Sequence, residues 1–216
     1  KMGAKIIGAG ESEISIIGVE KLKGTSHRPI GDRIEAITYI ICGLVTGSSI
    51  FVKDFDPAHI EGAIKVLTSM GANLEIGENY VKTNSSILKP YELVTAPFPG
   101  FPTDAQAQIM ALMALIPGRS TIVENIFENR FMHVPELNRL GAQIKIDGKV
   151  STIDGVNSFS GAEVMCTDLR ASAALVIGAL VARGETLISR IYHLDRGYEK
   201  IEEKLVALGA KVNRIS

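Results

Sequence analysis

A glycine motif recurs along this 216-residue chain, and its spacing limits the possible fold more than any other feature. KMGAKI, SMGANLEI, RLGAQIKI and ALGAKVNRI centre on Gly3, Gly71, Gly141 and Gly209, at intervals of 68, 70 and 68 residues. A period near 70 is too long for a solenoid repeat, so it marks a duplicated supersecondary unit. Leu67 and Met70, Leu137 and Leu140, and Leu205 and Leu208 stand four and one residues before the last three glycines. That is one apolar stripe at helical spacing. Each glycine suits a left-handed C-terminal cap. The alternating residues that follow, as in NLEIG and QIKID, read as strands.

A second set of segments lies between these: GDRIEAITYIICGLVTGSSIFVKD, PTDAQAQIMALMALIPGRSTIVEN and TDLRASAALVIGALVARGETLISR. Each opens on an acid (Asp32, Asp104 or Asp168), runs on as a helix apolar on nearly all sides, and breaks at Gly47, Gly118 or Gly184. A β-rich strand follows in each. A helix apolar all round is buried, and at about 14 residues these are too short to span a bilayer. The unit is therefore buried helix, strand, amphipathic helix, strand, strand. KMGAKI reads as a helix ending without its helix, and IIGVEKLKG and TIDGVNSFSG occupy the same place in their units. The pattern predicts that Lys1 is not a natural beginning and that a longer protein lies upstream.

Three copies predict an α/β fold with approximate threefold symmetry, the buried helices packed together with their N-termini at one end. Helix starts carry unpaired N–H groups and partial positive charge, a setting suited to anions. Asp104 lies at that end. Thr103 followed by Gln106 is a capping-box pattern, so the acid could serve as a cap or face a ligand. Arginines cluster in equivalent places: Arg33 and Arg170 beside the helix-opening acids, Arg130 and Arg196 in loops after strands. Guanidinium forks match carboxylates and phosphates. A single arginine beside an acid is an ordinary ion pair, but several at equivalent ends point to an anion pocket.

Other classes find little support. A net charge of −1 supplies no field for nucleic acid or an anionic membrane. Two cysteines, Cys42 and Cys166, read as packed free thiols. The four histidines lack metal-ligand spacing and read as structural or solvent-facing. GAGES at residues 8–12 is a turn rather than a dinucleotide fingerprint, and there is no P-loop.

FPTDAQAQ, ENRFMHVPELNRLGA, TDLRASAALV and RIYHLDRGYEKIEEKLVALGA closely resemble the UDP-N-acetylglucosamine 1-carboxyvinyltransferase family of enolpyruvyl transferases, over the full length of the chain. The resemblance implies two similar domains, each with threefold βαβαββ repeats around buried helices in an inside-out barrel, closing on a cleft. Residues 1–28 match the terminal strands of an upstream domain, and residues 29–216 match a C-terminal domain of three repeats. The implied reaction, in the cytoplasm and without cofactor or metal, moves enolpyruvyl from phosphoenolpyruvate to the 3-hydroxyl of UDP-N-acetylglucosamine for peptidoglycan synthesis. In this likeness Asp104 is the general base, and Ile126 contacts the nucleotide sugar through its backbone. Arg130, Arg170 and Arg196 hold phosphoenolpyruvate, Asp168 and Arg190 orient these groups, and Asp32 and Glu35 act as cap or hinge. The family pattern also requires an upstream Lys-Asn pair, a mobile loop with a catalytic Cys or Asp, further arginines and an N-terminal strand. None is in this sequence, and neither Cys42 nor Cys166 matches the loop cysteine. Two alternatives stay open: 5-enolpyruvylshikimate-3-phosphate synthase-like chemistry, whose motifs match these poorly, and a non-catalytic isolated domain.

Overall fold

The computed structural model describes Lys1–Ile215 and divides after Ile30 into two compact units. In the first, β1 (Lys5–Ile7) pairs antiparallel with β2 (Ser15–Ile17), Lys5 opposite Ile17. Between them the GAGES segment is a turn, closed by Glu11 N–H donating to Gly8 C=O at 3.0 Å.

The second unit begins with α1 (Arg33–Thr46), β3 (Phe51–Lys53), α2 (Glu61–Ser69), β4 (Leu74–Ile76) and β5 (Tyr80–Thr83). Next come β6 (Glu92–Val94), a 3₁₀ turn (Thr103–Ala105), α3 (Gln106–Met113), β7 (Arg119–Val123), α4 (Val134–Arg139), β8 (Gln143–Asp147) and β9 (Val150–Asp154). The last group is β10 (Glu163–Met165), α5 (Leu169–Ala179), β11 (Leu187–Ser189), α6 (Tyr192–Asp195) and α7 (Ile201–Ala207).

The three groups have related strand orders. The middle group forms a four-stranded sheet in the order β6-β7-β9-β8, parallel between β6 and β7 and antiparallel elsewhere. The first group keeps its last three positions as β3-β5-β4. The third keeps its parallel pair, β10-β11. Helices α3 and α5 are the crossovers of the parallel pairs, as such connections require.

Helices α1, α3 and α5 pack against one another at the centre. All eight residues of α3 are buried, and Ile37, Ile40 and Ile41 of α1 join Ile109, Met110, Leu175 and Ile177 in one core cluster. The outer helices bury a single stripe. Leu67, Leu137 and Leu205, each four residues before a repeat glycine, are at most 3% exposed. Gly3, Gly71, Gly141 and Gly209 have φ of 96°, 99°, 100° and 98°, the left-handed turn expected of each. Strands follow the first three. Residues 211–215 form none, and Leu208 is exposed where Met70 and Leu140 are buried. Gly47 caps α1 directly at φ 65°, whereas α3 and α5 end several residues before Gly118 and Gly184.

His133, expected to be structural or solvent-facing, is 1% exposed, its Nε2 3.1 Å from Met110 Sδ. Loss of water pushes its pKa down from the ordinary 6.5 to about 4. The unfolded chain therefore binds one more proton than the fold between those values. Stability is whole above pH 6.5 and falls as the pH drops towards 4. Urea titrations at several pH values should show His133→Leu escaping an acid-dependent loss on the order of 3 kcal/mol that the parent suffers. A Cβ at residue 141 would meet nothing closer than Ser160 N at 4.0 Å, so Gly141→Ala isolates backbone strain. It should lower the unfolding free energy by about 1–2 kcal/mol.

Candidate functional site

The three helix-opening acids have separate uses. Asp32 Oδ1 accepts from the amides of Ile34 at 2.7 Å and Glu35 at 3.3 Å, capping α1. Asp168 Oδ1 does the same for α5, accepting from Arg170 N at 2.8 Å and Ala171 N at 3.0 Å. A cap of this kind is worth about 1 kcal/mol. Asp104 caps nothing, and the capping box suggested by Thr103 and Gln106 does not form. Thr103 Oγ1 donates to Glu124 Oε2 at 2.8 Å instead. The Gln106 amide is buried without a partner among the described residues.

The Asp104 carboxylate faces arginines. Its Oδ1 accepts from Arg130 Nη2 at 2.7 Å and from Arg170 Nε at 3.4 Å. Arg33 Nη2 lies 4.0 Å from Oδ2. Arg33 and Arg170 sit in the first turns of α1 and α5, and Asp104 in the turn entering α3, so the three buried helices present their N-terminal ends to one place. Arg130 arrives from the loop after β7 and stacks on the Phe127 ring, 4.9 Å from its centroid. Three guanidiniums thus surround one carboxylate, while the Asp32 and Asp168 side chains are committed to helix amides. Oδ1 is occupied and Oδ2 is the freer oxygen, with the side chain one-third exposed. Such an arrangement can hold an anion on the arginines beside a carboxylate able to accept a proton.

The other expected residues lie as follows. Asp168 fixes the amide of Arg170 and so orients the helix turn that carries it. Ile126 N–H donates to Glu124 Oε1 at 2.8 Å. Its side chain lines an open groove of about 780 Å³ with Phe127, Arg130, Ile146 and Lys149. Arg196 ends α6, exposed and without an ion pair among the described residues, and is not drawn onto Asp104. Its neighbour Gly197 packs on Leu169, where a Cβ would come within 2.8 Å of that side chain. Two residues on, Tyr198 Oη lies 2.8 Å from Thr38 Oγ1 of α1 in the core. Arg190 is exposed and left-handed, φ 56°, directly after β11. Glu35 pairs with Lys204 Nζ at 2.7 Å and ties α1 to α7.

Cys42 and Cys166 are buried free thiols, and burial pushes Cys42 up to about 12 and raises Cys166 as well. Neither is a poised nucleophile. Among the described residues no cluster of His, Cys, Asp and Glu is arranged to hold a metal, and no helix is long and apolar enough to cross a membrane. The sequence placed Arg33 among the arginines that point to an anion pocket without giving it a role of its own, and it gave no sign of Glu124. Glu124 follows β7 directly and is buried, which nothing in STIVEN signals.

Comparison with known proteins places this geometry in context. The model of the EPSP synthase (3-phosphoshikimate 1-carboxyvinyltransferase) family matches residues 1–205. UDP-N-acetylglucosamine 1-carboxyvinyltransferase of Rhodopseudomonas palustris (strain HaA2) is 53% identical over 218 aligned positions, spanning 100% of this chain and 51% of that protein. Its counterpart in Koribacter versatilis (strain Ellin345) is also 53% identical, over 100% of this chain and 50% of that protein. The chain thus spans about half the length of these relatives. Among solved structures, the enolpyruvyl transferase NikO from Streptomyces tendae superposes with a TM-score of 0.81 at 30% identity, covering 98% of this chain and 51% of that one. EPSP synthase from Acinetobacter baumannii shares the fold at a TM-score of 0.75 and 19% identity, covering 99% of this chain and 53% of that one.

Asp104→Asn removes the anion from among the guanidiniums. It should cost about 1 kcal/mol of stability at low ionic strength, given the partial exposure of the group, and less as salt is added. Urea midpoints at two salt concentrations measure this.

Proposed function

Since this chain belongs to the EPSP synthase family, we propose that it is part of a UDP-N-acetylglucosamine 1-carboxyvinyltransferase. The observation that carries this reading is the 53% identity to enzymes of that name across the whole chain. The Asp104–arginine cluster supplies a site of suitable chemistry. In this reading residues 1–28 are the terminal strands of a preceding domain, and residues 29–216 are a domain of three βαβαββ repeats around the central helices. The rest of the site comes from the half of the protein that the relatives have and this chain does not span. The protein works in the cytoplasm.

The reaction adds the 3-hydroxyl of UDP-N-acetylglucosamine to the substituted vinyl carbon of phosphoenolpyruvate while the methylene carbon takes a proton. The tetrahedral intermediate then loses that proton equivalent and phosphate, restoring the enol ether. No electrons are transferred and no co-reactant is consumed. Asp104 accepts the hydroxyl proton at Oδ2, the oxygen less engaged by arginine. Arg130 and Arg170 turn from the carboxylate towards the incoming phosphoenolpyruvate and stabilise charge as it develops, with Arg196 closing on the same anion. The Ile126 carbonyl receives a donor group of the sugar. Asp168, through the α5 cap, keeps Arg170 in place, and Arg190 supports the Arg196 segment.

The name of the matching family model favours a second reading, in which the acceptor is a phosphorylated shikimate. Phosphate release with each acceptor separates the two, and turnover only with the nucleotide sugar is the expected result. In the full-length protein, Asp104→Ala should lower turnover by about 10²–10⁴-fold. Near-normal turnover would remove Asp104 from the mechanism. The 216 residues alone should show none.

A further inference from the structure

Glu124 is 4% exposed, and its carboxylate gathers donors from three separate segments. Oε1 accepts from Thr95 Oγ1 at 2.8 Å, Ile126 N at 2.8 Å and Phe127 N at 3.1 Å. Oε2 accepts from Thr103 Oγ1 at 2.8 Å. Thr103 is the residue before Asp104, in the turn that enters α3. Phe127 carries the ring on which Arg130 stacks, and Arg130 closes the circuit by donating to Asp104. A closed loop of contacts therefore runs from Glu124 through Thr103, Asp104, Arg130 and Phe127 back to Glu124.

We propose that Glu124 is a positioning residue that sets the distance and orientation between Asp104 and Arg130. Its kinetic consequence rests on the function proposed above. One buried carboxylate holds the turn bearing the acid and the loop bearing the guanidinium, and neither segment has comparable internal support. The turn has no side-chain cap, and the residue before Arg130, Asn129, is left-handed at φ 54°. The equivalent positions after β3 and β11, Asp54 and Arg190, are exposed and left-handed, with φ of 67° and 56°. The brace therefore belongs to the middle repeat alone, the one that supplies both Asp104 and Arg130. Misplacement of a reacting group by about 1 Å costs on the order of 10²-fold in rate.

Steady-state kinetics on the full-length protein test this. Glu124→Leu should lower kcat by about 10²-fold, and Glu124→Gln, which keeps the shape and most acceptors, should stay within about threefold of the parent. Thr103→Val cuts only the Asp104 limb and should cost about tenfold, which keeps the test alive if Glu124→Leu does not fold. In an Asp104→Ala background, Glu124→Leu should add less than about threefold to the loss in kcat, although the losses in folding stability accumulate. Parent-like kcat in folded Glu124→Leu, or full multiplication of the two kinetic losses, would overturn the proposal. Should the parent itself fail to turn over phosphoenolpyruvate with the nucleotide sugar, the functional reading fails and Glu124 is judged by NMR. Exchange of the Arg130 guanidinium protons should then quicken by ~10-fold in Glu124→Leu, with α3 amides still protected. Unchanged exchange would sink the idea.

Discussion

Helices that lie side by side with their starting ends together bring unpaired amides and like partial charges into one place, and the fold must answer that. At α1 and α5 the answer is a capping carboxylate, Asp32 and Asp168. At α3 there is no side-chain cap, and the equivalent acid turns to Arg130 and Arg170. Everything at the candidate site follows from this asymmetry. Two acids complete the frame, and the third stands at its mouth with arginines delivered by its neighbours' first turns.

The frame could be read from the residues because its rules are local. A glycine after Leu-x-x-Met or Leu-x-x-Leu demanded a left-handed turn, and the three such glycines, together with Gly3, share φ values within a few degrees of one another. The convergence of Asp104 with Arg130 and Arg170 was also legible, since repeated helices place their starts alike. What escaped depends on contacts between distant segments. Thr103 and Gln106 obey a local capping grammar, yet Glu124, 21 residues on from Thr103, takes the hydroxyl. His133 could be structural or solvent-facing by sequence, and its contact with Met110, 23 residues earlier, goes with the first. Arg196 looks equivalent to Arg130 by loop position, but its side chain remains out in solvent.

The repeats also differ in how much of the unit each expresses. Among the described residues the middle one has four strands, the first has three and the third has the parallel pair. Their cores are nevertheless continuous, since residues from all three central helices share one cluster. A smaller cluster joins Tyr39, Tyr198 and Leu205, so α7 is fastened to the bundle by its own contacts as well as by the Lys204–Glu35 pair. Arg214 adds a further tie, reaching Asp195 at 2.7 Å and Glu202 at 2.6 Å.

Release of one acid from capping duty has a consequence for how such a module can diversify. A change at Asp32 or Asp168 disturbs the scaffold, because helix geometry hangs on those oxygens. Position 104 caps no helix, so a change there leaves the helix starts in place and costs only ion pairing that salt screens. Sparing one of three helix-opening acids from capping leaves a carboxylate free to meet arginines where its two counterparts are held by amides.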